Sequence, residues 1–298
     1  VRIFRVIGYL DRKAAALLMP DQGPRLDFSK PAGEAALTPA GSVSWRVFRN
    51  PISLYIGGVT AVLMELAEPR VRAGVWDHTS FRTDPMTRMK RTGLAAMVTV
   101  YGAQSEARRM IASIVRLHGK ISGTSSGGLA YSANDQVLLD WVQATASFGF
   151  LEAYSAYVRP LSDADRNQFL SEAMPAARLY GAVGAPSNLE ERQALFDAMA
   201  PSLEPSDIVF EFLGLMQKTK VFPAPFGVLQ NLLVRAGAGL VPQSMRQTLG
   251  LGQGWDVSPW QARLIARLAR MSDRLNLPSS PPVQACQRLG LDAKAVFG

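Results

Sequence analysis

Apolar residues in this chain recur with a helical period almost everywhere and alternate almost nowhere. Ala107, Met110, Ile111, Ile114 and Val115 fall at i, i+3, i+4, i+7 and i+8, and His118 continues the series at i+11. Helix starts are marked in the same spirit. Asp84-Pro85 and Ser258-Pro259 each set a capping side chain before a proline suited to a first helical turn. Ser132 to Asp135, Ser162 to Asp165 and Ser187 to Glu190 have capping-box spacing ahead of apolar runs. These patterns predict an all-α fold.

The 298 residues, 48% of them apolar, can bury one large core. We divide the chain into an N-terminal helix and connecting segment, residues 1–44, and one helical domain, 45–298. Residues 20 to 44 are rich in Pro, Gly, Ala and Ser, as a connection should be. Shorter breaks at 119–130, 181–188, 221–227 and 250–258 read as loops within the domain. The single cysteine, Cys286, rules out an internal disulfide and a cysteine metal cluster, which points to a reducing, cytoplasmic setting. The first twenty residues mix charged with apolar side chains and are not expected to act as a signal peptide. The uncharged run from Asn50 to Met64 is too short to span a bilayer.

His118 is one of two histidines. Its place in the apolar series directs the imidazole inward, with Gly119 ending the helix behind it. The bland reading is a core histidine satisfied by a backbone carbonyl; the sharper one is a cofactor ligand. On the preceding helix Arg88, Arg91, Thr92, Ala95, Ala96 and Thr99 share one stripe, which puts two cations on a face that turns apolar. Those arginines either snorkel toward Asp77 or Asp84 or line a pocket with His118.

From Trp45 the sequence resembles the superfamily of rubber oxygenases (latex clearing proteins) and mycophenolic-acid-pathway oxygenases. The matching blocks are "WRVFRNPISLYIGG", "EPRVRAGVWDHTSFRTDPMTRMKRT", "RLHGKISG", "YSANDQVLLDWVQAT" and, later, "LVPQSMRQTLGLGQGW". The resemblance implies a globin-like helical core that holds haem b on a proximal histidine, for which His118 is the match. The family's distal R-x-x-K-T pattern falls on Arg88, Arg91 and Thr92. Where relatives carry a lysine able to ligate iron, this chain has Arg91, whose guanidinium offers no lone pair. Arg91 is then expected to pair with a propionate or donate to bound oxygen, with Thr92 beside it. Relatives often have His-Pro where this chain has Glu68-Pro69, and a histidine at Gln143. Glu65 and Glu68 both remain open as the carboxylate rubber oxygenases are thought to use. His78 is the alternative histidine, read more simply as a loop cap. Tyr131 and Trp141 are assigned to packing. Leu138, Val142, Thr145 and Gly149 read as a packing seam whose small residues allow close approach of another helix or a flat ring, core packing being the simpler reading.

The function implied by the resemblance is a haem b-dependent oxygenase acting with dioxygen on an apolar or isoprenoid-like small molecule. The alternative is a haem-binding sensor or carrier without turnover. A formal charge of +8 suits anionic partners. Arg263, Arg267, Arg270 and Arg274 repeat at helical spacing, but no nucleic-acid reading motif accompanies them, so we expect no nucleic acid and at most weak peripheral membrane contact.

Overall fold

The computed structural model describes residue 11 and residues 26–78, 80–219, 221 and 227–297. The expected N-terminal helix lies outside them, apart from Asp11. In chain order come α1 (Val43–Val47), α2 (Pro51–Glu65), α3 (Pro69–His78), α4 (Pro85–Tyr101) and α5 (Gln104–His118). A hairpin of β1 (Ser122–Thr124) and β2 (Ala130–Ser132) follows, then α6 (Gln136–Tyr157), α7 (Asp163–Tyr180), α8 (Leu189–Met199) and α9 (Asp207–Lys218). The last helices are α10 (Gly227–Leu240), α11 (Gln243–Thr248), α12 (Pro259–Asp273), α13 (Pro281–Arg288) and α14 (Ala293–Phe297). The domain is thus mostly all-α, as the periodicity predicts.

Caps fix several of these starts. Asp84 accepts from the Thr87 N–H at 3.1 Å with Pro85 behind it, and Ser162 and Asp165 form the expected capping box. Two caps shift from their expected place. Asp135, not Ser132, caps α6 by accepting from Leu138 N–H, and Asn188, not Ser187, caps α8 by accepting from Glu191 N–H. In both cases the residue directly before the helix supplies the cap. The 119–130 segment is also more than a loop. Ser122, Gly123 and Thr124 pair antiparallel with Ser132, Tyr131 and Ala130.

The core is built on α2 and α6. Their crossing depends on glycine: a Cβ on Gly57 would stand 2.6 Å from the Gly149 carbonyl oxygen, and one on Gly149 would strike the Gly57 carbonyl. The seam inferred around Gly149 is therefore a helix–helix contact. A third helix, α10, closes on the same place, with the Thr60 hydroxyl donating to Gly237 O at 2.8 Å. Asn50, fully buried, accepts from Ile52 and Ser53 N–H and donates to Ala269 O at 2.8 Å, which fastens the start of α2 to α12. The connecting segment is held by Arg288, 2% exposed, whose guanidinium donates to the carbonyls of Phe28, Glu34 and Tyr101.

No single helix among the described residues is long and apolar enough to cross a membrane. The pair α2 and α3 would qualify together by length and composition, but the chain bends 115° between them, and α2 supplies the buried middle of the core. The bend follows from Glu68, which is fully buried. Its carboxylate accepts from Arg70 and Val71 N–H at 2.7 and 2.9 Å and pairs with the Arg70 guanidinium, so it starts α3 as a cap.

Candidate functional site

The helical stripe that ends in His118 does face the protein, grading from buried at Ala107 and Ile111 to half-buried at Met110, Ile114, Val115 and His118 itself. The imidazole is thus at the edge of the core where α5 stops. Its Nδ1 is buried without a hydrogen-bond partner. The expected carbonyl partner is missing because the last turn spends its carbonyls elsewhere. Val115 O accepts from Gly119 N–H and the Asn134 amide, Leu117 O from Lys120 N–H, and His118 O from Ile121 N–H. Burial first, and the nearby Arg88 charge second, hold the His118 pKa below its ordinary value, so the neutral ring is favoured.

Arg88 comes from α4, one turn after the Asp84 cap. It is half-buried, and its Nε is buried with no partner. Burial lowers its pKa, the charge of Glu65 raises it, and Arg91 lowers it again. Glu65, the last residue of α2, is half-buried, and its carboxyl is pushed up to about 7 by burial, against the pull of Arg88. The Arg88 charge thus acts on both the His118 imidazole and the Glu65 carboxyl. Arg91 and Thr92 stand on the exposed side of α4, and the Thr92 hydroxyl donates to Arg88 O at 3.0 Å.

Sequence alone leaves Glu65 level with Glu68 as the candidate carboxylate. The structure separates the two, since every polar contact of Glu68 serves the start of α3. The available signal was that Glu65 is the one acidic or basic residue in the run from Pro51 to Ala67. His78 is exposed at the end of α3, and its Nε2 meets the Tyr131 hydroxyl at 2.9 Å across to β2. That contact ties the hairpin down and replaces the loop-capping role expected of it.

The raised Glu65 pKa has a definite consequence for stability. Between its ordinary value near 4.5 and about 7 the folded chain holds a proton that the unfolded chain releases, so this group lowers stability as pH rises through that window. Glu65→Gln should abolish that slope and make the protein more stable above pH 7 by about 1–3 kcal/mol. Urea unfolding at pH 5 and pH 8 measures it. Equal stability differences between variant and parent at both pH values would show that Glu65 ionises normally.

A group of three or more His, Cys, Asp or Glu able to hold a bare metal ion does not occur among the described residues. Haem iron asks for less from the protein, because the porphyrin supplies four nitrogens and one imidazole completes an axial position. The residues here fit that group: a neutral-biased histidine with an unpartnered buried nitrogen, and a buried arginine with an unpartnered Nε suited to a carboxylate such as a propionate.

The fold is that of a mostly all-α domain. The chain belongs to the family of the ER-bound oxygenase mpaB/B'/Rubber oxygenase catalytic domain, whose model matches residues 45–273. It is also similar to Uncharacterized protein Mb2261 of Mycobacterium bovis and Uncharacterized protein Rv2237 of Mycobacterium tuberculosis, each 28% identical over 116 residues, 38% of this chain and 46% of theirs. The chain thus spans about half the length of the curated relatives it matches. No solved structure matches it.

Proposed function

We propose that the protein is a haem b-dependent oxygenase with a globin-like haem-binding core, acting on an apolar or isoprenoid-like small molecule. The observation that carries this reading is the buried, unpartnered Nδ1 of His118 beside the buried, unpartnered Nε of Arg88, in a chain of an oxygenase family. His118 would hold the iron through its imidazole. Arg88 would take a propionate, with Arg91 at the exposed rim of the same helix face. When bound, haem b supplies a redox-active iron able to activate dioxygen.

The chain's own residues would do the rest. The half-buried apolar side chains of α5, Met110, Ile114 and Val115, exclude water and receive an apolar substrate. Glu65, titrating near neutrality, holds or releases a proton at its carboxyl oxygens, with Arg88 stabilising the charged form. The Arg91 guanidinium donates hydrogen bonds at the exposed edge of the helix face, while the Thr92 hydroxyl stays on Arg88 O. Arg91 does not compete as an iron ligand, because its guanidinium stays protonated. We place the protein in the cytoplasm, in peripheral contact with membrane.

Titrating the full chain with haemin tests the reading. A Soret band saturating at one haem per chain is expected, with a ferrous carbon monoxide complex after reduction. Arg88→Gln should weaken haemin binding roughly tenfold, the value of one charge-assisted hydrogen bond. Absence of a saturable Soret band would overturn the proposal.

A further inference from the structure

We propose that the exposed face of α12 is a docking surface for anionic phospholipid bilayer. On this helix Trp260, Arg263, Arg267, Arg270, Met271 and Arg274 are all exposed and fall within an arc of about 100° at the helical repeat. Trp260 is 63% exposed and Met271 56%, with Leu275, 43% exposed, just beyond the helix. The carboxylate on α12 lies on another face, where Asp273 accepts from the buried Asn50 amide at 3.2 Å. Among the described residues, Arg263, Arg267, Arg270 and Arg274 form no ion pair. An open groove of about 470 Å³ follows the arginines and adjoins a cleft where Arg270 and Arg274 join Arg46, Arg49 and Arg159, with Asp273 its one carboxylate.

Two independent properties choose the partner. The cations run about 16 Å along one face, from Arg263 to Arg274, a span that faces many lipid headgroups at once. The bulky apolar side chains lie beside them at the level where tryptophan and methionine would enter the headgroup layer. A nucleic-acid strand would use the arginines but leave Met271 and Leu275 in water. An anionic bilayer uses both sets, through headgroup charge and through burial of apolar surface.

This inference rests on the peripheral-contact part of the proposed function and not on haem, since no residue of the patch belongs to the His118 site. Sedimentation of the full chain with phosphatidylcholine vesicles, with and without about one-third phosphatidylserine, tests it. Binding should require phosphatidylserine and weaken with added salt. Arg263→Gln with Arg267→Gln should lower the affinity by roughly tenfold or more, and Trp260→Ala should weaken it separately. The double variant should keep the parent's helical content and haemin titration, so loss of vesicle binding reports the surface alone. Equal binding to vesicles lacking phosphatidylserine, or an unchanged affinity in the double variant, would overturn the proposal. So would tighter binding to duplex DNA than to the vesicles at the same salt, which would make the face a nucleic-acid contact.

Discussion

Replacing His118 by alanine should remove stoichiometric haem binding while leaving the helical content of the protein intact. The ring sits on the last turn of α5, half-buried and with no hydrogen bond at Nδ1, so its removal costs the fold little more than local packing. Its loss takes away the one imidazole at the site. The affinity should fall by more than the 10–100-fold, roughly, that follows loss of an outer-shell partner. Because burial and Arg88 hold the ring's pKa below the ordinary 6.5, haem binding by the parent chain should persist as pH falls through that value and decline only below it. Haemin titrations of both proteins at pH 7, and of the parent across the acid range, measure these effects. Full occupancy with an unchanged spectrum in His118→Ala would transfer the ligand role to His78, which would have to give up its contact with Tyr131.

A larger effect on the fold itself is expected at Gly57. Alanine there places a methyl carbon 2.6 Å from the Gly149 carbonyl oxygen and 2.8 Å from the Phe150 Cα, backbone atoms that have no rotamer to adopt. Only separation of α2 from α6 relieves the clash, and α10 is packed on the same crossing through Thr60 and Gly237. Gly57→Ala should therefore destabilise the protein by about 3 kcal/mol or more, the upper range for overpacking. The adjacent Gly58 provides the contrast, since a Cβ there meets nothing within 4 Å. Gly58→Ala should be neutral or stabilising by up to about 1 kcal/mol, because alanine is the better helix former. Urea unfolding of the haem-free variants compares the two, and equal effects would place the helix crossing elsewhere.

The electrostatics of the site link these two outcomes. Glu65 ends the helix whose middle carries Gly57, so the crossing that buries Gly57 also sets how far Glu65 is withdrawn from water. Any loosening of α2 against α6 should lower the Glu65 pKa toward its ordinary value, and the pH dependence of stability should flatten with it.

The sequence by itself determined the helical class, the proline-marked starts of α4 and α12, the inward stripe ending in His118 and the family the chain belongs to. These are legible because period and caps are local properties, written in residues one to four positions apart. The arginine face of α12 was legible for the same reason. Tertiary structure decided between two neighbouring carboxylates: Glu68 is consumed by the bend into α3, while Glu65 is buried within reach of the Arg88 charge from another helix. It also decided that His118 lacks a carbonyl partner and that His78 serves the hairpin. Each of these depends on which atoms arrive from segments far along the chain, and on burial, which sets the cost of leaving a polar atom alone and has no signature in local spacing.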